Sequence, residues 1–191
     1  MNLTTYLLEL KKSWLERKIP NISENNAEFL KELIRGRKPK NLLEIGTANG
    51  YSTLQFASAF LEWALPDWHI TTLEYAENAY TEAQFHFEKT VMTEYITSLF
   101  GDAKSILPTL PGDYFDFVFI DAMKREYLDY LLLSLPKMTR DALIVIDDVE
   151  KFRPKMENLY AFLDEKNIPY RLEKTDPDDS IMIIERSSIL Y

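Results

Sequence analysis

The sequence predicts an α/β fold, in which strands and helices alternate around a doubly wound and mostly parallel sheet. Residues 41–45 form an apolar run that breaks into a turn bracketed by Gly46 and Gly50, and an amphipathic segment follows directly. This order of apolar run, polar turn and amphipathic segment recurs along the chain, which indicates strand–loop–helix units. Near the end, two strand-like runs flank residues 176–179, whose Asp and Pro residues are typical of a hairpin turn.

Two helices are predicted before the first strand. Leu3–Arg17 carries apolar residues at helical spacing and is ended by Pro20, and a second helix starts at the capping-box spacing of residues 25–28 and stops near Gly36. We expect these helices to cover a sheet edge, to cover a ligand or to form the contact of a homodimer. We assign residues 1–38 to this helical extension and 39–191 to a cofactor-binding core, together one domain.

The core elements follow in order. The predicted strands are 41–45, 69–74, 96–100, 114–120 and 142–146, with 170–174 and 180–185 as the closing hairpin. The predicted helices are 52–65, 77–92, 125–135 and 154–166, with a brief helix before Pro108. The run 114–120 is almost continuously apolar, which indicates a central strand buried on both faces.

Composition excludes several classes of site. The chain has 31 acidic and 22 basic residues, so its charge of −9 disfavours non-specific attraction to nucleic acid. Cysteine is absent, which excludes disulfides, thiolate metal sites and cysteine nucleophiles, and only two histidines are present. We find neither a signal-peptide pattern nor a membrane-spanning stretch, so no membrane partner and a cytoplasmic location are expected.

The glycine turn indicates the kind of ligand. Gly46 and Gly50 are spaced G-x-x-x-G, which is not the dinucleotide fingerprint, and no Gly-Lys-Ser/Thr follows as in a P-loop. An acid, Glu44, precedes the turn. A glycine loop with an acid and no lysine suits a positively charged nucleoside, and S-adenosylmethionine is the predicted cofactor. The predicted contacts from this segment are Glu44, Gly46, Thr47, Gly50, Tyr51 and Ser52.

Every predicted parallel strand ends in an acid. These acids are Glu44, Glu74, Asp102, Asp121 and the pair Asp147-Asp148, and they should converge at the carboxyl edge of the sheet. Glu74, at the end of the second strand, is expected to accept hydrogen bonds from ribose hydroxyls. Asp102 is expected to accept one from the adenine amino group. Each acid taken alone equally fits a helix cap or a turn.

Asp121, Lys124 and Tyr127 recur every three residues and should share one face of a helix. With Asp147 and Asp148, Asp121 forms a predicted oxygen site for a divalent cation, Mg²⁺, Mn²⁺ or Ca²⁺. A lysine near a metal and a sulfonium has a lowered pKa, so Lys124 is the predicted general base. The alternatives are a surface Asp–Lys pair and an N-cap for the following helix.

These segments resemble the metal-dependent, class I S-adenosylmethionine O-methyltransferases of the catechol and caffeoyl-CoA type. Residues 44–53 are similar to the family's first motif, Gly101-Asp102-Ala103 to its adenine-side motif, and residues 119–127 and 144–149 to its metal and lysine segments. The resemblance implies a Rossmann-like, seven-stranded sheet of order 3-2-1-4-5-7-6 with its last strand antiparallel. It also implies that Ala103 contacts the cofactor and that Asp121 is both catalytic and cofactor-binding.

The acceptor is predicted to be a small, catechol-like hydroxylated molecule. Bacterial relatives that methylate a hydroxylated wobble uridine make tRNA the alternative acceptor, because basic residues concentrate near the N-terminus. They are Lys11, Lys12, Arg17, Lys18, Arg35, Arg37, Lys38 and Lys40. Two departures from the family leave a non-catalytic cofactor-binding module open. Asp148 stands where the family usually has Asn, and a longer insertion after that segment is missing.

Overall fold

The computed structural model describes residues 3–17, 21–177 and 179–189, so the predicted helix end at Pro20 and the turn residue Asp178 lie outside the described residues. The strands are β1 (Asn41–Ile45), β2 (His69–Glu74), β3 (Ile96–Phe100), β4 (Phe115–Ile120), β5 (Met138–Ile146), β6 (Arg171–Glu173) and β7 (Ile181–Glu185). The helices are α1 (Leu3–Arg17), α2 (Glu24–Arg37), α3 (Tyr51–Glu62), α4 (Glu77–Lys89), α5 (Ala103–Ile106), α6 (Tyr127–Ser134) and α7 (Glu157–Glu165).

The sheet has seven strands in the order β3-β2-β1-β4-β5-β7-β6. Strands β1 to β5 pair in parallel, and β7 runs antiparallel to both β5 and β6. The predicted fold class and strand order are therefore confirmed. Because β1 and β4 lie at the centre, their carboxyl ends meet at one edge of the sheet.

The core has one apolar layer on each face of the sheet. Successive strand residues point to opposite faces, so Leu42 and Phe117 pack on one side with α1 to α4. Leu43 and Val118 pack on the other side with α6 and α7. This double burial explains why β1 and β4 are nearly continuous apolar runs.

Helices α1 and α2 lie against the layer of α3 and α4. Trp14, only 2% exposed, packs edge-on against Tyr51 with ring centroids 4.9 Å apart. Arg17 donates two hydrogen bonds to Glu82, at 2.6 and 2.9 Å. Helix α1 thus covers α3 and α4, whereas α2 reaches the sheet, where Asn26 contacts Asp147 after β5 and Arg37 pairs with Glu185 of β7. The assignment of residues 1–191 to one domain stays a prediction.

Helix boundaries depart from the sequence prediction where end residues form their own hydrogen bonds. α2 is capped by Ser23, whose hydroxyl accepts from the Asn26 N–H at 3.0 Å, so the predicted capping box at residues 25–28 is wrong. α3 and α4 end three residues early. The N–H of Leu65 folds back to Phe60 and that of Met92 to Phe87, each at 2.9 Å. Such bonds close a helix in place of a further turn.

The start of the helix after β4 and the start of β5 also differ from the sequence prediction. The segment after Asp121 begins as a short 3₁₀ turn, Lys124–Glu126, before α6 starts. β5 starts at Met138, four residues earlier than predicted, because Met138 pairs with Phe115 of β4 across an irregular register. Neither change moves the strand ends that carry the predicted site.

Candidate active site

An open cavity of about 640 Å³ lies at the carboxyl edge of the sheet, where β1, β2, β3 and β4 end. Five of the predicted cofactor residues line it, namely Gly46, Glu74, Asp102, Ala103 and Asp121. The sequence argument that strand-end residues converge in one crevice is therefore confirmed for these positions.

Gly46 fits the floor of this cavity because no side chain has room there. Its φ is +104°, and a Cβ atom would lie 2.1 Å from the backbone carbonyl oxygen of Asp121. The N–H groups of Gly46 and Thr47 both donate to the Leu73 carbonyl, at 3.0 and 3.1 Å. The loop is thus drawn against the ends of β2 and β4.

Glu44 lies beneath the loop rather than in the cavity wall. It is fully buried and accepts hydrogen bonds from the hydroxyls of Ser52 at 2.5 Å, Thr72 at 2.6 Å and Thr53. Burial raises the pKa of Glu44 to about 7, although the three hydroxyls oppose that shift. Glu44 and Ser52, both predicted to contact the cofactor, hold the loop onto the start of α3 instead.

Thr47, Gly50 and Tyr51 also shape the loop from behind. The Thr47 hydroxyl lies 2.5 Å from that of Thr72, and a Cβ atom on Gly50 would lie 2.9 Å from the Phe87 ring. Tyr51 is 4% exposed and faces Trp14 of α1. Its ring therefore packs α3 against α1 and does not line the cavity, although the sequence predicted that Tyr51 contacts the cofactor.

Glu74 and Asp102 both lie in the cavity wall, and both already accept hydrogen bonds from other groups of the protein. The two Glu74 oxygens accept from the N–H groups of Ala48 and Ala76, each at 2.7 Å. Asp102 caps α5, accepting from the Ser105 hydroxyl at 2.9 Å and the Lys104 N–H at 3.2 Å, and its pKa is lowered first by the Ser105 bond. A carboxylate oxygen carries two lone pairs, so each side chain can still accept from a ligand.

Among the lining residues that were not predicted as contacts are Tyr75, Lys104, Met123, Glu126 and Tyr130. Tyr75 and Met123 are 73% and 58% exposed on the rim of the cavity. At the far end, Lys104 donates to Glu126 and the Tyr130 hydroxyl donates to the same carboxylate, each at 2.6 Å. Tyr75 directly follows Glu74, so its position next to the predicted ribose acid could have identified it as a lining residue. Lys104 and Glu126 are 22 positions apart and come together only in the folded chain.

A second group of side chains adjoins the cavity at Asp121. The Lys124 Nζ lies 2.6 Å from Asp121 Oδ1, 2.7 Å from Asp148 Oδ2 and 2.6 Å from the Tyr127 hydroxyl. Asp121, Lys124 and Tyr127 therefore meet as expected, but they do not share a helix face, because Asp121 precedes the 3₁₀ turn that holds Lys124 and only Tyr127 belongs to α6. Burial disfavours the ammonium, but its pairs with Asp121 and Asp148 outweigh burial and raise the pKa of Lys124. The sequence predicted that a metal and a sulfonium would lower the pKa of Lys124, whereas the residues around Lys124 raise it.

Asp147 is held apart from Lys124 by a partner that the sequence did not reveal. It is 3% exposed, and the Asn26 side-chain amide donates to both of its oxygens, at 3.0 and 3.3 Å. The Asn26 oxygen in turn accepts from the Thr175 hydroxyl. Burial, with the nearby charges of Asp121 and Asp148, raises the pKa of Asp147 well above its ordinary value.

The predicted metal ligands Asp121, Asp147 and Asp148 are close together, but their arrangement does not fit a divalent cation. Their oxygens are the ligands that hard cations prefer. However, within the three described ranges no three His, Asp or Glu side chains are grouped to hold a metal ion. The Lys124 ammonium lies between two of the carboxylates and Asn26 holds the third. The metal site stays a prediction.

No helix among the described residues is both long and apolar enough to cross a membrane.

Known proteins are similar to this chain in sequence and in fold. The family model described as O-methyltransferase matches residues 2–155. A catechol O-methyltransferase of Niastella koreensis is 34% identical over 148 residues, 75% of this chain and 65% of the relative. One of Mycobacterium tuberculosis is 33% identical over 128 residues, 67% of this chain and 56% of the relative. The chain thus spans less than two thirds of either relative.

An O-methyltransferase structure from Bacillus cereus, in complex with SAH, superimposes with a TM-score of 0.77 and 23% identity. The match covers 95% of this chain and 90% of that one, and at this identity it supports the fold alone. The family model, by contrast, spans most of the chain with the glycine loop and all the predicted site residues. The chain belongs to the O-methyltransferase family.

Proposed function

We propose that this protein transfers a methyl group from S-adenosylmethionine to a hydroxyl oxygen of a small, catechol-like acceptor. One observation carries the proposal. Asp121 lines the cavity at the glycine loop and also contacts the Lys124 ammonium at 2.6 Å, so one residue joins a nucleoside-sized cavity to a group of charged side chains. The relatives described as catechol O-methyltransferases support the reaction class and the small acceptor.

The cavity suits a cationic nucleoside. Its volume of about 640 Å³ lies within the range of small-molecule sites, and its wall carries Glu74, Asp102 and Asp121. In this proposal Glu74 accepts from the ribose hydroxyls, Asp102 and Ala103 face the adenine, and Asp121 faces the positive sulfur end. Charge-assisted hydrogen bonds of this kind are about twice as strong as neutral ones.

The transfer requires no covalent enzyme intermediate. The acceptor oxygen forms a bond to the methyl carbon while the sulfur–methyl bond breaks, and its electron pair stays on sulfur. The hydroxyl proton leaves the acceptor in the same step and passes to a neighbouring carboxylate. The raised pKa of Lys124 means that it keeps its proton at neutral pH, so its proposed role is to stabilise the negative charge that develops on the acceptor oxygen.

The tRNA alternative has less support than the small acceptor. Several of the basic residues that motivated it pair with acids of the same chain, namely Lys11 with Glu24, Arg17 with Glu82, Arg35 with Glu32 and Arg37 with Glu185. Each paired carboxylate cancels part of the positive charge that phosphate groups would meet, although exposed pairs of this kind are weak. The tRNA acceptor, the homodimer, the cytoplasmic location and the metal ion stay predictions.

The test is a transfer assay with isotopically labelled S-adenosylmethionine and a panel of catechols and other phenols. We expect label in a methyl ether of a catechol, and Lys124→Met should lower kcat by at least about 10²-fold. Calorimetry measures cofactor binding in parallel. Binding without transfer to any acceptor would favour the non-catalytic module, and a protein that binds no cofactor would refute the proposal altogether.

A further inference from the structure

The Lys124 ammonium already occupies the position that a cation would take among the carboxylates. An ammonium has three N–H donors, and Asp121, Asp148 and Tyr127 lie at 2.6, 2.7 and 2.6 Å from Nζ. These three partners account for all of its donors. The side chain is 14% exposed, so water competes little for them.

A divalent ion and this ammonium would exclude each other. Mg²⁺ binds oxygen at about 2.0–2.1 Å and Ca²⁺ at about 2.3–2.6 Å. An ion that bridges Asp121 Oδ1 and Asp148 Oδ2 would therefore lie close to where Nζ now lies, between the same two oxygens. The Lys124 ammonium would have to leave this position before an ion could bind both oxygens.

The surroundings also favour an organic cation. The Nζ of Lys124 lies 5.1 Å from the centre of the Tyr127 ring and 5.7 Å from that of Phe152, and aromatic rings attract ammonium groups. Asp147, the third predicted metal ligand, is engaged by the Asn26 amide and by the Asp148 N–H. Phe152 and Asp148 both belong to the short segment in which this chain departs from the metal-dependent family.

We propose that the Lys124–Asp148 ion pair is the acceptor site, and that the Lys124 ammonium replaces the divalent cation there. The transfer part of this proposal rests on the proposed function, whereas the cation part does not. The acceptor hydroxyl enters between Nζ and Asp148 Oδ2, now 2.7 Å apart, where the carboxylate is 34% exposed. Its oxygen accepts a hydrogen bond from the ammonium, and its hydrogen is donated to the carboxylate.

The step balances with these two groups alone. An acceptor lone pair forms the oxygen–methyl bond, the sulfur–methyl bond breaks, and its electron pair stays on sulfur as S-adenosylhomocysteine forms. The acceptor proton passes to Asp148 and from there to solvent. Asp148 is thus the general base, and Lys124 holds its proton throughout.

The first experiment titrates Mg²⁺, Mn²⁺ and Ca²⁺ into the purified full chain by calorimetry, with and without S-adenosylmethionine. The wild-type protein should show no saturable binding at millimolar ion. Lys124→Met removes the ammonium and frees both carboxylates, so saturable ion binding should appear. Its Kd should lie at least about tenfold below the highest ion concentration at which the wild type shows no binding. The matched control is Lys31→Met, which removes a lysine that is 13% exposed and paired with Glu28 three residues away. It should bind ions as wild type does.

The second experiment measures transfer to a catechol in EDTA and in excess Mg²⁺. Equal rates within about twofold are expected, and Asp148→Asn should lower kcat by at least about 10²-fold while leaving the cofactor Kd unchanged. Saturable wild-type Mg²⁺ binding that disappears in Asp121→Asn, or transfer that stops in EDTA and returns with Mg²⁺, would overturn the inference and leave the proposed function intact. If no acceptor is methylated under either condition, the proposed function fails. The titration alone then decides whether the Lys124 ammonium replaces a divalent cation at this site.

Discussion

The buried carboxyl of Glu44 makes the stability of this protein depend on pH near neutrality. Its pKa is about 7 in the folded chain, against an ordinary value of 4.5, because burial disfavours the charged form. The folded state therefore holds a proton more tightly than the unfolded state does. The free energy of unfolding should be highest below about pH 4.5, fall between about pH 4.5 and 7, and stay level above that range.

The size of this effect follows from the two pKa values. The difference between about 7 and 4.5 corresponds to about 3 kcal/mol of unfolding free energy. Glu44→Gln keeps the volume of the side chain and its contacts with the hydroxyls of Ser52, Thr53 and Thr72 but carries no titrating proton. Relative to wild type, the variant should gain up to about 3 kcal/mol of stability as pH rises from 4.5 to 8.

Urea unfolding at half-unit pH intervals measures this difference directly. Taking the difference between variant and wild type removes the contribution of other titrating groups, including Asp147, which the two proteins share. Ser52→Ala is the matched control: it removes a hydroxyl that lowers the Glu44 pKa, so the fall in stability should extend above pH 7. Parallel stability curves for wild type and Glu44→Gln across this range would refute the reasoning.

Three further substitutions test the cavity and its support. Gly46→Ala places a Cβ atom 2.1 Å from the Asp121 carbonyl at φ +104°, so we expect a loss of about 2–4 kcal/mol in urea unfolding and no cofactor binding by calorimetry; normal affinity would contradict this loop geometry. Glu74→Gln should raise the cofactor Kd at least about tenfold while the fold is retained by circular dichroism, and an unchanged Kd would remove Glu74 from the ribose site. Asn26→Ala leaves the buried Asp147 without its side-chain donor, so it should cost about 1–3 kcal/mol and lower kcat more than it raises the cofactor KM, whereas a purely structural Asn26 would change stability alone.

The sequence predicted those parts of the site that depend on neighbouring residues. The glycine turn was predictable because two glycines directly follow an apolar run and precede an amphipathic segment, and the structure gives Gly46 a φ of +104° and Gly50 a φ of +85° there. The convergence of Glu74, Asp102 and Asp121 was predictable because parallel strands end at one edge. The contact between Asp121 and Lys124 followed from a separation of three residues.

The sequence did not predict the contacts that only the tertiary fold creates. Asn26 and Asp147 are 121 positions apart, and nothing near either residue indicates its partner. Asn26 instead belonged to a predicted capping box at residues 25–28, whereas the structure places the helix cap at Ser23. Tyr51 follows the loop as a cofactor contact should, but the packing of α1, which no local pattern specifies, draws its ring towards Trp14. The pKa of Lys124 is raised by Asp121 and also by Asp148, which β5 brings in from 24 positions away.

Asp121 is the residue through which the two halves of the site depend on each other. Its N–H donates to Ile45 at 2.9 Å, its carbonyl oxygen fills the space where a Gly46 side chain would be, and its carboxylate holds Lys124. The backbone contacts fix the glycine loop whatever the side chain does, whereas the side chain, together with Asp148 and Tyr127, positions the ammonium. Loop geometry and charge placement are therefore separable by substitution although they share one residue.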